Sequence, residues 1–332
     1  MSNTTRTNKK ILKVRDLRVC FEVRERATWP WQKPLSLKAV DGIDLDIYEG
    51  ETLGVVGESG CGKSTLARAL IGLLPAQTGS VVWMGNDLVQ MSKKELRSKR
   101  QELQIIFQDP LACLNPRMTI GDIIAEPVHT FHPQLSSTEV KQQVQSMMQR
   151  VGLLPNLINR YPHEFSGGQC QRIGIARALI LKPKLVICDE PVSALDVSIQ
   201  AQVINLLKEL QAEMGLALVF IAHDLSVVRH ISDRVLVMYL GKAAELAAAK
   251  ELYTNPKHPY TKALMSAVPI PDPKVERNKK VQLLTGDLPS AINPPSGCVF
   301  RTRCPEVQAQ CAQRRPALRP INGTHQVSCL LV

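Results

Sequence analysis

Eight consecutive residues have the types and the spacing of a phosphate-binding loop. They are Gly57-Glu58-Ser59-Gly60-Cys61-Gly62-Lys63-Ser64, followed by Thr65, and they fit G-x-x-x-x-G-K-[ST]. In such a loop the glycines permit a tight turn whose backbone N–H groups point at phosphates, the lysine reaches the terminal phosphates, and the serine hydroxyl can bind Mg²⁺. An apolar strand pattern precedes the loop and a helical pattern follows it. The segment therefore predicts a nucleoside triphosphate site.

Three later segments supply groups that phosphoryl transfer to water requires. The apolar run Leu185–Cys188 ends at Asp189, which can hold hydrated Mg²⁺, and at Glu190, a candidate base for the attacking water. Gln108 follows an apolar strand pattern and can reach Mg²⁺ or that water, and His223 follows another and can contact the γ-phosphate. Paired acids, a glutamine or a histidine at a strand end are also common at plain turns. Their order behind the phosphate loop is what favours a catalytic role.

A second phosphate-binding helix start is predicted at Phe165-Ser166-Gly167-Gly168-Gln169. A Ser-Gly-Gly sequence that opens a helix exposes N–H groups at the positive end of the helix dipole. The chain thus has two such helix starts but only one phosphate-loop lysine, Lys63. This imbalance predicts that the second start binds a nucleotide held by a neighbouring subunit. The alternative is a glycine-rich helix start without a ligand.

Charge and hydropathy restrict the class of protein. The chain has 332 residues and a formal net charge of +11, but the excess lies in residues 1–38 and 251–332, and the middle is near neutral. Basic ends suit contact with anionic lipid, another subunit or, less well, nucleic acid, and they are equally typical of solvated termini. No apolar run is long enough to cross a bilayer, and the N-terminus lacks a signal-peptide core. We therefore expect a soluble, cytoplasmic chain.

Alternating short strands and helices are predicted before about residue 250. A strand at Ile11–Val23 and its partner at Leu37–Ile47 flank a loop that carries Trp29 and Trp31. The remaining predicted elements are strand Thr52–Val56, helix Lys63–Leu74, a hairpin around Gly79–Gly85, strand Leu103–Gln108, helices within 119–160, a helix from Gly167 to Ile180, strand Leu185–Cys188, helix Val197–Met214 and strand Leu216–Ala222. This order predicts an α/β fold with a mostly parallel sheet covered on both faces. The sequence contains no internal repeat.

Together these segments resemble the ATP-binding cassette (ABC) ATPases over residues 11 to about 245. The matching positions are the Walker A loop at 57–64, the Q-loop residue Gln108, the signature at 165–169, the Walker B strand at 185–190, the D-loop residue Asp196 and the switch residue His223. The resemblance implies a P-loop fold with an antiparallel β subdomain and a helical subdomain at about 110–165. It also implies Mg²⁺ ligation by Ser64, Gln108 and Asp189, and stacking of Phe21 on adenine, for which strand packing is the alternative. Phe165 stands where leucine is usual.

Further segments resemble the ATPase subunits of bacterial oligopeptide and dipeptide importers. They are Phe107–Pro110 followed by Leu114–Thr119, then Asn255–Leu264 and Asn293–Pro305. The resemblance implies an ATPase domain at 1–250 and a family-specific extension at 251–332. It implies, as partners, a second and different ATPase subunit, two membrane permease subunits and, indirectly, a peptide-binding protein, with no nucleic acid. It places the chain at the cytoplasmic face of the bacterial inner membrane. The resemblance implies a motor subunit for the uptake of oligopeptides. The alternatives are import of dipeptides, nickel or another small solute, a soluble ABC ATPase that acts on nucleic acid or ribosomes, and a non-enzymatic binding module, which Glu190 disfavours.

Two details concern the C-terminal part. Ala247 occupies a position where such subunits usually have a turn glycine, which predicts either a strained turn or an earlier helix start. Four cysteines, Cys298, Cys304, Cys311 and Cys329, lie close together in a proline-rich segment. Their spacing lacks the C-x₂₋₄-C pattern that is usual for a zinc site. The family resemblance implies that they hold a [4Fe–4S] cluster, which would act as a structural cross-link. The alternative is a set of buried free thiols.

Overall fold

The computed structural model describes residues 9–23, 34–269, 272–279 and 281–332. Trp29 and Trp31 lie outside these residues. The strands are β1 (Lys10–Val23), β2 (Leu35–Tyr48), β3 (Thr52–Val56), β4 (Thr78–Trp83), β5 (Asn86–Asp87), β6 (Leu103–Ile106), β7 (Leu185–Asp189), β8 (Ala217–Ile221), β9 (Arg234–Tyr239), β10 (Lys242–Ala248), β11 (Arg319–Asn322) and β12 (His325–Val327). The α-helices are α1 (Lys63–Leu70), α2 (Lys93–Lys99), α3 (Ile120–Phe131), α4 (Ser137–Arg150), α5 (Gly167–Leu179), α6 (Val197–Met214), α7 (Leu225–Ile231), α8 (Ala249–Thr254), α9 (Pro259–Ser266), α10 (Pro273–Asn278) and α11 (Gln310–Gln313). Two short 3₁₀ helices span Pro155–Leu157 and Pro162–Glu164.

The predicted alternation of strands and helices is confirmed, with shifts at the element ends. Helix α1 ends at Leu70 rather than Leu74, and β6 ends at Ile106, which leaves Gln108 in the loop after the strand. The structure has helices at α2 and from α7 onward, and strands β9 to β12, that the sequence interpretation did not assign. No helix in the described ranges is both long and apolar enough to cross a membrane.

One compact unit contains residues 48–52 and 91–222. Its strands β6, β7 and β8 are parallel neighbours, with Leu103 opposite Leu185 and Leu185 opposite Ala217. Every residue of β7 and β8 is buried. Helix α3 packs against α4 and α5, and α5 also packs against α6. Parallel strands end at the same edge of a sheet, so the segments that follow β6 and β7 are neighbours.

The other unit contains residues 10–47, 53–90 and 223–332. Within it, β2, β1, β4 and β5 form an antiparallel sheet in that order, in which β1 pairs with β4. Strand β3 is parallel to β9, β9 is antiparallel to β10, and β12 pairs with β10 on its other edge, followed by β11. The C-terminal strands β11 and β12 thus join the sheet that contains β3, the strand preceding the phosphate loop.

The expectation of a turn or an early helix at Ala247 is wrong. Ala247 lies inside β10, opposite Val235, and its side chain is fully buried. The helix that follows, α8, begins at Ala249. Because Ala247 is paired inside a strand and does not have a positive φ, the position does not require glycine.

Candidate functional site

The phosphate loop connects β3 to α1 and depends on two close backbone approaches. Gly57 has φ 151° and Gly62 has φ 103°, both in the region that favours glycine. A Cβ atom on Gly57 would lie 2.2 Å from the Met238 carbonyl oxygen, and one on Gly62 would lie 2.0 Å from that of Ala39. No side chain caps the start of α1, where Gly62 is the N-cap residue. The first turn of α1 therefore has the features of an anion-binding helix start.

Lys63 is held inside the curve of the loop. Its side chain is buried, and its Nζ atom donates hydrogen bonds to the carbonyl oxygens of Gly57 at 2.8 Å and Glu58 at 3.1 Å. These bonds fix the ammonium group against the loop backbone. The chain thereby positions one full positive charge at the place where the sequence predicts phosphates.

Two residues from the C-terminal part contact Glu58, and the sequence interpretation missed both. The Glu58 carboxylate forms an ion pair with Arg303 and accepts a hydrogen bond from its Nη1 atom at 2.7 Å. The Glu58 backbone N–H donates to the Tyr260 hydroxyl at 2.9 Å. The Glu58 carboxylate raises the pKa of Arg303, and burial raises the pKa of Tyr260. These pairs are separated by 245 and 202 residues, so no local pattern could have revealed them.

The acidic pair lies at the end of β7, in the other unit. Asp189 is 2% exposed, and Glu190 follows it with φ 50°, a left-handed conformation that is rare for a residue with a side chain. The Glu190 backbone N–H donates to the Ile221 carbonyl oxygen at 3.1 Å. Gln108 Nε2 donates to Glu190 Oε2 at 3.0 Å. The structure therefore brings together Gln108 and Glu190, two of the three predicted catalytic residues.

The signature residues form the start of α5. The Ser166 Oγ atom accepts from the Gln169 backbone N–H at 3.3 Å, and the Gln169 side-chain oxygen accepts from the Ser166 N–H at 2.9 Å. This capping box gives both side chains a local structural role. A Cβ atom on Gly168 would lie 2.6 Å from Ile199 Cγ2, so this glycine permits close packing against α6, whereas Gly167 has ordinary room.

Asp196 is the N-cap residue of α6. Its carboxylate accepts from the Ile199 N–H at 3.0 Å and from the Ser198 hydroxyl at 2.7 Å. These hydrogen bonds lower the pKa of Asp196. The predicted D-loop carboxylate is therefore ionised at neutral pH and fixed at the helix start.

The remaining nucleotide-site candidates lie in the unit that contains the phosphate loop. His223 is exposed in the turn before α7, and Phe21 is 40% exposed near the end of β1. Gln108, Asp189, Glu190, the signature and Asp196 belong to the unit described first. An exposed phenylalanine on a strand is consistent with the predicted adenine contact and disfavours core packing as its role.

The four C-terminal cysteines share one small region. Cys311 and Cys329 are buried, Cys298 and Cys304 are half-buried, and the Cys298 N–H donates to the Cys311 carbonyl oxygen at 2.8 Å. Burial raises the pKa of Cys298, with further contributions from Cys311 and Cys329, and raises that of Cys304 to about 11. Among the described residues, no three histidine, cysteine or acidic side chains converge closely enough to hold a metal ion. The iron–sulfur cluster therefore stays a prediction.

Comparisons with solved structures define the class of protein. The chain is similar to the ATP-binding cassette MJ0796 in its dimeric post-hydrolysis state bound to ADP and Pi, with a TM-score of 0.64 and 26% identity over 72% of this chain and 98% of that one. It is also similar to cbiO1 of Clostridium perfringens, part of an ABC transporter complex, with a TM-score of 0.63 and 28% identity over 74% of this chain and 92% of that one. The fold is that of an ABC-type P-loop ATPase, as the sequence predicted.

Family models and relatives narrow this class. The model "ABC transporter" matches residues 40–193, and the model "Oligopeptide/dipeptide transporter, C-terminal region" matches residues 244–311. The oligopeptide transport ATP-binding protein OppF of Salmonella typhimurium is 68% identical over 100% of this chain and 99% of its own, and AppF of Bacillus subtilis is 51% identical over 99% of each. The chain belongs to the oligopeptide transport ATP-binding proteins of ABC transporters, the family that includes OppF.

Proposed function

We propose that this chain is the ATP-hydrolysing subunit of an importer of oligopeptides. The observation that carries the proposal is the 68% identity, over the whole chain, to a protein named for oligopeptide transport. The geometry supports the ATPase part, because a phosphate loop, a buried acidic strand end and a glutamine bonded to the candidate base are all present. The substrate class rests on the relatives.

Each candidate residue has a role in this proposal. The loop residues 57–65 bind the triphosphate through backbone N–H groups and Lys63, and Phe21 stacks on adenine. Ser64, Gln108 and Asp189 would hold Mg²⁺, which prefers oxygen ligands and would neutralise charge on the phosphates. The donor set fits this ion, because it offers a hydroxyl, an amide oxygen and a buried carboxylate. Glu190 accepts a proton from the attacking water, and His223 contacts the γ-phosphate.

The Gln108 hydrogen bond gives Glu190 its orientation. Two hydrogen bonds hold Glu190. Its backbone N–H donates to the Ile221 carbonyl oxygen, and its carboxylate accepts a hydrogen bond from the Gln108 side chain. A general base acts only when it is within hydrogen-bond reach of the water whose proton it takes. We therefore expect nucleotide binding to re-aim Gln108, so that the Glu190 carboxylate can accept a hydrogen bond from the water.

The shared-site proposal concerns a second ATPase subunit. Two ATPase chains close head to tail over two ATP molecules, and Ser166, Gly167, Gly168 and Gln169, with Asp196 nearby, complete the partner's site. The partner is an OppD-like subunit, two permease subunits receive the motion through the helical subdomain at about 110–165, and a peptide-binding protein delivers the substrate. The assembly lies at the cytoplasmic face of the inner membrane. The extension 251–332 is specific to this family, and nucleic acid has no part.

The hydrolysis proposal is tested in the assembled transporter. Glu190→Gln should keep ATP binding, lose turnover and accumulate a nucleotide-bound dimer, because only the proton acceptor is changed. Lys63→Ala should instead weaken binding, since it removes a charge that contacts phosphate. ATPase rates in proteoliposomes with oligopeptides, dipeptides or Ni²⁺ identify the substrate. Wild-type turnover in Glu190→Gln would overturn the catalytic assignment.

The shared site has its own variant. Ser166→Arg should leave ATP binding by the isolated chain intact but block dimer closure and peptide uptake, because this residue contacts the partner's nucleotide. Loss of ATP binding by the isolated monomer would contradict the assignment.

For the four cysteines we propose a [4Fe–4S] cluster that acts as a structural cross-link. The Cys311 and Cys329 thiols contribute to the raised pKa of Cys298, and the Cys298 and Cys329 thiols contribute to that of Cys304, which supports their proximity. Four cysteine thiolates are the usual ligand set of a [4Fe–4S] cluster, and this segment lacks the C-x₂₋₄-C spacing usual for structural zinc. Protein purified anaerobically should be brown and contain iron and acid-labile sulfide. Colourless protein with stoichiometric zinc, or without metal, would refute the cluster.

A further inference from the structure

A carboxylate in a phosphate-binding loop carries the same sign of charge as the phosphates and therefore disfavours their binding. Glu58 is the second residue of the loop, and Lys63 bonds to its carbonyl oxygen. An unpaired carboxylate there would repel the polyphosphate that the loop has to bind, since like charges within a few ångströms disfavour each other strongly in a partly buried site. The structure pairs this carboxylate with Arg303 at 2.7 Å, with the two side chains 26% and 9% exposed.

Arg303 is anchored by its own region. Its backbone N–H donates to the Phe300 carbonyl oxygen at 3.0 Å, and its guanidinium carbon lies 6.0 Å from the centre of the Tyr239 ring. Phe300 and Tyr239 are buried and meet edge to face with their ring centres 5.1 Å apart. The cation is therefore a fixed group supplied by the C-terminal region and not a mobile surface side chain.

Tyr260 fixes the loop from the same side. Its hydroxyl accepts the Glu58 backbone N–H, and its ring is fully buried, 4.8 Å from the Tyr239 ring and 5.4 Å from that of Phe300. Backbone and side chain of Glu58 are thus both bound by residues that lie more than 200 positions away. One aromatic cluster, made of Tyr239, Tyr260 and Phe300, supports both contacts.

We propose that Arg303 and Tyr260 are positioning residues for ATP binding, through which the C-terminal region neutralises Glu58 and holds the first turn of the phosphate loop. The proposal rests on the proposed ATPase function and adds that nucleotide affinity is set in part by the family-specific extension. Arg303 acts through Glu58 and does not itself contact nucleotide.

The test compares single and double variants in the full-length chain. Arg303→Met keeps the length of the side chain but removes its charge, and it should weaken binding of a fluorescent ATP analogue about tenfold, since Glu58 is left unpaired. Glu58→Gln should strengthen binding by about twofold, because it removes a repulsive charge. The double variant R303M/E58Q should recover to within about threefold of wild type, and Arg303→Lys should recover in part. Lys262→Met, which breaks the exposed pair with Glu306, is the matched control and should bind as wild type.

Salt separates the electrostatic role from a merely structural one. The Arg303→Met defect should shrink between 0.1 M and 1 M salt, because the Glu58 repulsion is then screened. Normal binding by Arg303→Met, or a double variant as weak as Arg303→Met alone, would overturn the inference. If Arg303→Met does not fold, Arg303→Lys and R303M/E58Q decide between the same outcomes. Failure of the ATPase proposal is distinct, since Lys63→Ala would then bind nucleotide as well as wild type.

Discussion

The phosphate loop and the C-terminal segment 281–332 lie in the same unit but differ in how much local backbone structure fixes them. Within the loop, the Cys61 N–H donates to the Glu58 carbonyl oxygen and Lys63 bonds to the loop backbone, and the long-range contacts of Glu58 with Tyr260 and Arg303 add to these local bonds. The C-terminal segment has only short elements, α11, β11 and β12, each of four residues or fewer. This segment is anchored by contacts with residues far away in the sequence. The Ser328 N–H donates to the Ala244 carbonyl oxygen, and the fully buried His325 side chain makes further contacts.

His325 shows how such an anchor is built. Its Nε2 atom lies 2.6 Å from Glu245 Oε1 and its Nδ1 atom 2.9 Å from Glu251 Oε1. Glu245 is also fully buried and accepts the backbone N–H groups of Lys257 and His258, each at 2.8 Å. One carboxylate thus joins β10, β12 and the segment before α9. Close backbone approaches at Gly57 and Gly62 therefore set the shape of the loop, whereas a few buried polar side chains anchor the C-terminal segment.

The largest effect should come from Gly62→Ala in the loop. The new Cβ atom would lie 2.0 Å from the Ala39 carbonyl oxygen, at φ 103°, so the backbone must move. We expect more than about a hundredfold loss of nucleotide affinity and about 3 kcal/mol of destabilisation. Titration with a fluorescent ATP analogue and thermal unfolding measure the two effects.

Gly60→Ala is the matched control for that variant. Gly60 also has a positive φ, 77°, but no other atom lies within 4 Å of its Cβ position. Its substitution should cost only the conformational strain of about 1 kcal/mol. Equal losses from Gly60→Ala and Gly62→Ala would show that close backbone approach does not control the loop.

The features that could be predicted from the sequence are the ones that neighbouring residues determine. The loop between β3 and α1, the end of β7 and the start of α5 lie where the sequence predicted them, because each is a run of neighbouring residues whose types and spacing express one local geometry. The hydrogen bond between Gln108 and Glu190 agrees with the order of parallel strands β6 and β7. The left-handed backbone of Glu190 carries no sequence signal, since glutamate rarely adopts it.

The C-terminal contacts could not be predicted for a physical reason. Arg303 with Glu58 and His325 with Glu245 join residues 245 and 80 positions apart. Single charged residues at such separations resemble ordinary surface positions until the fold brings them together. The prediction of a turn or early helix at Ala247 was wrong for a related reason, because the conformation of this residue is set by strand pairing with Val235 rather than by its sequence neighbours.

The next largest effect should come from His325→Ala in the C-terminal segment. Removing the imidazole leaves the buried Glu245 with only its backbone donors and opens a cavity, so we expect a loss of about 2–3 kcal/mol in the free energy of unfolding. Nucleotide affinity should change far less than in Gly62→Ala. Chemical denaturation and limited proteolysis of the segment measure this loss.

Lys262→Met is the control for His325→Ala. It breaks an ion pair with Glu306 in which both side chains are at least 40% exposed, and such pairs contribute little. If both variants lowered stability equally, the buried histidine would not be the anchor of the segment.

The smallest predicted effect is a pH dependence that comes from His258. Its imidazole is 3% exposed and its Nδ1 atom accepts the Tyr260 N–H at 3.1 Å, so the neutral ring caps α9. Burial lowers the pKa of His258 to about 4, whereas an unfolded histidine titrates near 6.5. Between these values the unfolded chain binds a proton that the folded chain does not. The contribution of His258 to stability is therefore complete above about pH 6.5 and falls by about 1.4 kcal/mol per unit as pH decreases toward 4.

Replacement of His258 tests this linkage. His258→Asn keeps an oxygen that can cap the helix but cannot be protonated, so the loss of about 2 kcal/mol between pH 6.5 and pH 5 should be reduced or absent. Urea unfolding at pH 7.5, 6.5, 5.5 and 5.0 provides the slopes. His163→Asn, at an exposed position, controls for the loss of a histidine as such. If His258→Asn keeps the wild-type slope, the C-terminal region is not held by a neutral buried imidazole, and the contrast with the backbone-controlled loop would rest on His325 alone.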